Sequence, residues 1–202
     1  MHSNRSNARY SKVRVDALTD GIFAVAMTLL VLDIHLPEGF APTDTAQLLQ
    51  GLLDLLPKFI PYVVSFMLLG MRWLSLAQEY HRAEHVEGKY IKWWLMYLML
   101  ITCVPFSTIV VGRYASLAPA IWVYCANTAL IAVASWRMAQ LTPNIDDPRQ
   151  LHVRQVSMAV LLLSSVVCVG LSLIDPRQAI WAFALNLAAP LVARWMERSE
   201  RT

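Results

Sequence analysis

Residues 14–36 read RVDALTDGIFAVAMTLLVLDIHL. The stretch is apolar enough to enter a membrane, yet only twelve residues separate Asp20 from Asp33. A membrane-spanning helix needs about 20 mostly apolar residues. If this segment spans, it must carry Asp20 into the membrane boundary. A basic tail before a short apolar run also has the outline of a secretory signal peptide. Asp20 opening the run and Asp33-Ile34-His35 closing it are poor features for one.

The rest of the chain argues for a span. It is 57% hydrophobic and 15% charged, against roughly 25% charged in ordinary soluble domains. The basic residues punctuate apolar runs and do not gather into a patch, which points to membrane loops and away from a nucleic-acid surface. Cys103, Cys125 and Cys168 stand alone within apolar stretches and read as packing residues. No Cys/His metal spacing is present, and no cofactor is implied.

Five more apolar segments follow by run length, at about 59–77, 93–111, 117–136, 156–174 and 178–195. With the first at about 18–36 they predict an all-α, six-span membrane protein in one domain over residues 1–202. Pro57 and Pro61 mark the start of the second segment. Pro105 and Pro190 fall inside the third and sixth, where a membrane helix tolerates a kink. Trp93, Trp94, Trp136, Trp181 and Trp195 lie near segment ends, as an interfacial belt would place them. Of 17 Lys and Arg residues, all but Lys58, Arg113 and Arg177 fall on the side of the two termini. The positive-inside rule therefore predicts cytoplasmic termini.

On a helical wheel Val25, Leu29, Leu32 and Leu36 form one stripe. Thr28 borders it, and Gly21 lies near its cytoplasmic end. The stripe is open to two readings, packing between helices or lining a pore. Asp20 and Phe23 point away from it, toward the other helices. Ionisable groups at membrane depth usually face protein and pair. The expectation is a buried cytoplasmic-side network of Asp20, Thr19 and Arg14, with Arg72 of the second segment near the same depth.

Arg14-Val-Asp-Ala-Leu-Thr-Asp-Gly21, followed by Ile-Phe-Ala-Val-Ala-Met-Thr-Leu-Leu-Val-Leu32, resembles the first-helix signature of the lysosomal potassium channel family (transmembrane protein 175). That signature is Arg, three variable residues, Phe-Ser-Asp, usually Gly, then Val-Phe-Ala-Ile-Ala and Thr-Leu-Leu-Val-Leu. Val104-Pro105-Phe106-Ser107-Thr108, with Gly112-Arg113-Tyr114 after it, resembles the family's Pro-Phe stretch in the third helix. Prokaryotic members imply six helices per chain and a homotetramer whose first helices line a central pore, placed here in a prokaryotic inner membrane. By motif alignment the constriction falls on Val25, Thr28, Leu29 and Leu32, and the partners are potassium ions and the lipid bilayer. The Thr-Val-Gly-Tyr-Gly carbonyl filter of ordinary potassium channels is absent from family and sequence alike.

Some residues depart from the family pattern. Leu18 and Thr19 replace Phe and Ser, Leu76-Ala77 stands where many members have a His pair after Trp73, and Met96 or Tyr97 stands near a usual Asn. These changes remove polar groups that would support the first helix.

His81, Glu84 and His85 could share a helix face that binds a metal, although a solvated connection is the simpler reading. Asn127 and Asn186 lie within spans, where a lone Asn suits interhelical hydrogen bonding. Residues 44–56 suggest a short amphipathic surface helix, capped at Thr43 or Asp44 and stopped by Pro57. Its leucines would meet the membrane interface or the bundle. Asp33 and Glu38 near the outer mouth would enrich cations there, or be simply solvated.

The expected function is a cation channel favouring potassium. The rivals are a secondary transporter, for which inverted repeats and interrupted helices are missing, and a poorly selective cation or proton leak. No Ser/His/Asp set, HExxH or GxSxG motif suggests an enzyme.

Overall fold

A computed structural model describes residues 10–79, 85–86, 88–141, 159 and 162–173. A two-residue strand β1 (Tyr10–Ser11) leads into α1 (Lys12–Leu29), which tightens into a 3-10 turn over Leu30–Asp33. Then come α2 (Thr45–Leu53), α3 (Leu56–Glu79), strand β2 (His85–Val86), α4 (Gly88–Thr102), α5 (Val104–Tyr114) and α6 (Ala118–Leu141). A shorter apolar helix, α7 (Leu162–Ser172), follows. β1 pairs antiparallel with β2, tying the chain before α1 to the connection between α3 and α4. This small ribbon is an addition to the expected all-α fold.

Among the described residues, four stretches are long and apolar enough to cross a membrane: Lys12–Asp33, Leu56–Ala77, Gly88–Tyr114 and Ala118–Leu141. The chain is a multi-pass membrane protein. The fifth expected span is described only in part, as α7, and the sixth lies outside the described residues, together with Asn186, Trp181 and Trp195.

The first span starts and ends earlier than the expected 18–36. Its helix takes in the charged first turns, where Lys12 and Asp16 pair one turn apart at 3.0 Å. It stops at Asp33, so Leu36 is not part of any helical stripe. Eighteen α-helical residues and four in 3-10 geometry make a rod of about 35 Å, enough for a core of about 30 Å. The short apolar run is thus completed by polar residues at both ends.

The third span is broken, as Pro105 implied. Pro105 sits in the first turn of α5, and Cys103 caps that helix. Proline has no N–H for the preceding turn, and Ser107 and Thr108 donate their hydroxyls to the Val104 carbonyl at 2.9 and 2.8 Å. α2 is capped by Asp44, whose Oδ1 accepts from Gln47 N at 2.8 Å. Its leucines 48, 49, 52 and 53 are all exposed, so they do not rest on this chain's own bundle.

The core is built from Phe23 and Leu30 of α1 and its turn, Leu69 of α3, Tyr97 and Ile101 of α4, and Ile131 and Met138 of α6. A second cluster joins Val64, Val111, Cys125 and Cys168, and Trp122 Nε1 donates to Ser172 Oγ at 3.0 Å, so α7 packs on α6. Between α3, α5 and α6 lies a buried hydroxyl chain. The Thr108 and Ser65 hydroxyls lie 2.8 Å apart, with the Thr108 proton given to Val104, and Ser65 meets Tyr124 Oη at 3.0 Å. Asn127 is buried, but its Nδ2 has no partner among the described residues, so the expected interhelical bond is not made by that atom.

Candidate functional site

α1 has two unlike faces. Val15, Thr19, Phe23, Ala26, Leu30 and Asp33 are buried, at spacings of three or four. Arg14, Leu18, Gly21, Val25, Thr28 and Leu32 run along the other side and are exposed. Leu29 lies beside them at 41% exposure, with Val25 at 56% and Leu32 at 66%. The resemblance-derived positions Val25, Thr28, Leu29 and Leu32 therefore share one face that α1 turns away from its own chain.

That face is held by fastenings on the opposite side. Asp20 and Asp33 are about 21 Å apart along this helix and its turn, so a core of about 30 Å cannot exclude both carboxylates. Each needs a partner, because a polar group without one is costly in hydrocarbon. Asp20 Oδ1 accepts from Trp73 Nε1 of α3 at 2.8 Å. Thr19 Oγ1 accepts from Trp94 Nε1 of α4 at 2.9 Å while donating to the Val15 carbonyl. Midway, the rings of Phe23 and Tyr97 pack with centroids 6.3 Å apart. At the far end, Arg113 of α5 gives both Nε, at 2.8 Å, and Nη2, at 2.6 Å, to Asp33 Oδ1.

Several expectations change here. Asp20 meets Trp73 and not an arginine, and it is exposed, so the network is not the buried ion pair expected. Arg14 stands on the outward face, in line with Gly21 and Val25. Arg72 is buried on α3, one residue before the side chain that holds Asp20. Asp33 is neither solvated nor free to gather cations, because it is buried and bound by Arg113. Trp94 is buried at 6% exposure and belongs to the clasp and not to an interfacial belt. Two tryptophans thus supply the polar support that the departures from the family pattern seemed to remove. The indole N–H of buried Trp94 was an available signal, since a buried Trp needs an acceptor, whereas Trp73 is exposed and gave none. His81 and Glu84 lie outside the described residues. Among the described residues no metal-binding group of His, Cys, Asp and Glu occurs.

Thr28 has a specific geometry on the open face. Its hydroxyl lies 2.9 Å from the Val25 carbonyl and 3.0 Å from that of Ala24, and donates to them. The proton is used on the helix, so the oxygen lone pairs remain for a group beyond it. Gly21 also opens outward, and a Cβ there would meet nothing within 4 Å.

Residues 14–105 match the family model described as endosomal/lysosomal potassium channel TMEM175, and that match contains α1 from Arg14 onward and its fastenings on α3 and α4. Over that stretch the chain is similar to the TMEM175 family. A Streptomyces collinus protein named a potassium channel is 29% identical over 183 residues, covering 85% of this chain and 87% of the relative. One from Chamaesiphon minutus is 33% identical over 101 residues, 50% of this chain and 49% of its own. The rat TMEM175, named an endosomal/lysosomal proton channel, is 36% identical over 74 residues, 34% of this chain and 15% of its own. The crystal structure of a lysosomal potassium-selective channel TMEM175 homolog from Chamaesiphon minutus superposes with a TM-score of 0.72 at 25% identity, over 89% of this chain and 96% of that one. The TMEM175 family is one of ion channels and not of enzymes.

In this chain the Asp20–Trp73 bond has a measurable signature. Asp20→Ala and Trp73→Phe should each lower stability by about 1–2 kcal/mol, as for a hydrogen bond to a charged group. The double variant should lose less than the sum. Arg14→Ala should add to Asp20→Ala without coupling. Thermal melting in detergent of the three single variants and of the two doubles, Asp20→Ala/Trp73→Phe and Asp20→Ala/Arg14→Ala, measures this, and strong Arg14–Asp20 coupling would restore the ion pair in place of the indole bond.

Proposed function

We propose that this chain forms a cation channel favouring potassium, with four copies around a central pore lined by α1. The proposal includes six spans per chain, cytoplasmic termini and residence in a prokaryotic inner membrane. The observation that carries it is the uncovered stripe of Val25, Thr28, Leu29 and Leu32 on a helix fastened along its other side. In α1 with its 3-10 turn only 28% of the apolar window is buried, against 39% for α3 and 50% for α4–α5 and for α6, so it is the least covered of the four candidate spans among the described residues. Gly21 supports the same reading. Glycine costs a helix about 1 kcal/mol relative to alanine, and no contact among the described residues requires it.

One helix cannot enclose a pore, and closed cyclic symmetry supplies the remaining wall. In such a ring Val25, Leu29 and Leu32 form apolar layers that gate by dewetting. Between them the Thr28 oxygens present lone pairs to a partly dehydrated ion.

The test is flux from proteoliposomes in potassium against sodium, with the mass of the detergent-solubilised assembly measured in parallel. The expected result is a tetramer that dissipates a potassium gradient faster than a sodium gradient without any coupled substrate. Equal rates for both ions, or collapse of a pH gradient alone, would instead make it a nonselective or proton pathway. A conducting monomer would remove the central pore.

A further inference from the structure

Beside the N-terminal end of α1, between it and α3 and α4, lies a crevice of about 230 Å³. Its lining combines two kinds of group. The rings of Trp73, Tyr90 and Trp94 border it, and so do the carboxylates of Asp16 and Asp20. Lys12 also lines it, with Nζ 3.0 Å from Asp16, so two acids face one base. The rings are held in place, because both indole N–H groups are bonded to α1. What they offer the crevice is ring carbon.

This lining selects among ligands. An anion would meet a net negative wall. Alkali and divalent cations need a shell of oxygens, six or more for calcium, whereas the described side chains lining the crevice offer two carboxylates and the hydroxyls of Thr19 and Tyr90, residues that already have partners. A weakly hydrated organic cation needs neither. Aromatic faces attract it within about 6 Å of their centroids, and aromatic cages are the recurrent solution for quaternary ammonium groups. The nearby carboxylates add charge complementarity.

We infer that this crevice binds a quaternary or alkyl ammonium cation, one per chain, against the Trp73–Asp20 clasp of α1. The inference does not depend on conduction, because it concerns a lateral crevice and not the open face of α1. An occupant would touch Asp20 and Thr19, the two residues through which α3 and α4 hold the first helix.

Calorimetric titration of the full chain in phosphatidylglycerol nanodiscs with tetraethylammonium chloride tests it. Saturable binding at one site per chain is expected. Trp73→Leu should weaken it about tenfold, since a desolvated cation–ring contact is lost. Asp16→Asn, a surface change that leaves the clasp intact, should weaken it about threefold through lost charge attraction. A site on a tetramer axis would bind one cation per four chains and ignore Asp16→Asn. No binding, one site per four chains, or unchanged affinity in Asp16→Asn overturns the inference. Repetition in phosphatidylcholine nanodiscs identifies the source of the ammonium. Weaker apparent affinity there means that lipid headgroups compete for the crevice, whereas unchanged affinity means a soluble cation, and both uphold the site.

Discussion

Arg113→Ala should destabilise the protein by about 3 kcal/mol, whereas Asp33→Asn should cost markedly less. The two partners of this ion pair are not equivalent. The Asp33 side chain is 9% exposed and Arg113 is 48% exposed. Removing the arginine strands a carboxylate inside the bundle, and breaking a buried pair from one side costs about 3–5 kcal/mol. The lower end applies because the arginine is half exposed and already partly solvated. Removing the acid frees a guanidinium that can turn to water. The double variant Arg113→Ala/Asp33→Asn should therefore be more stable than Arg113→Ala alone. Thermal melting in detergent decides it, and equal losses in both single variants would mean that burial of Asp33 is not the cause.

Leu29→Ser should raise cation leak roughly tenfold or more and reduce the preference for potassium over sodium. In a four-fold assembly it places four hydroxyls in an apolar layer that otherwise excludes water. Leu29 is 41% exposed in the single chain, so the change does not empty a core site. Val63→Ser is the control, because Val63 is an exposed apolar residue of α3, at 46%. It should leave flux unchanged. If Leu29→Ser leaves both flux and selectivity intact but loosens the assembly, the stripe is a packing surface between copies and not a constriction.

The membrane class of the chain, four of the expected spanning segments and an interruption near Pro105 were legible along the sequence because each depends on local chemistry. A run of apolar residues, a missing N–H and an Asp44 cap act on their neighbours in the chain. The two faces of α1 were legible for a related reason. Helical periodicity places Val25, Leu29 and Leu32 together and Phe23 opposite, whatever surrounds them.

Partner choice was not legible. Asp20 had Arg14 within reach along the helix and an arginine in α3 at similar depth, and charge alone favours either. The packing of α3 against α1 instead brings the Trp73 indole to the carboxylate, across 53 positions of chain. Asp33 looked like a solvated acid at a helix end until α5 brought Arg113 to it across 80 positions. Trp94 looked interfacial because its side chain's surroundings are invisible in a run of apolar letters. Sequence by itself determined which residues α1 shows on each face, since that follows from backbone geometry. Only the tertiary structure decided which side chains grip the inward face, because a hydrogen bond depends on distances of about 3 Å between helices whose relative rotation no local pattern encodes.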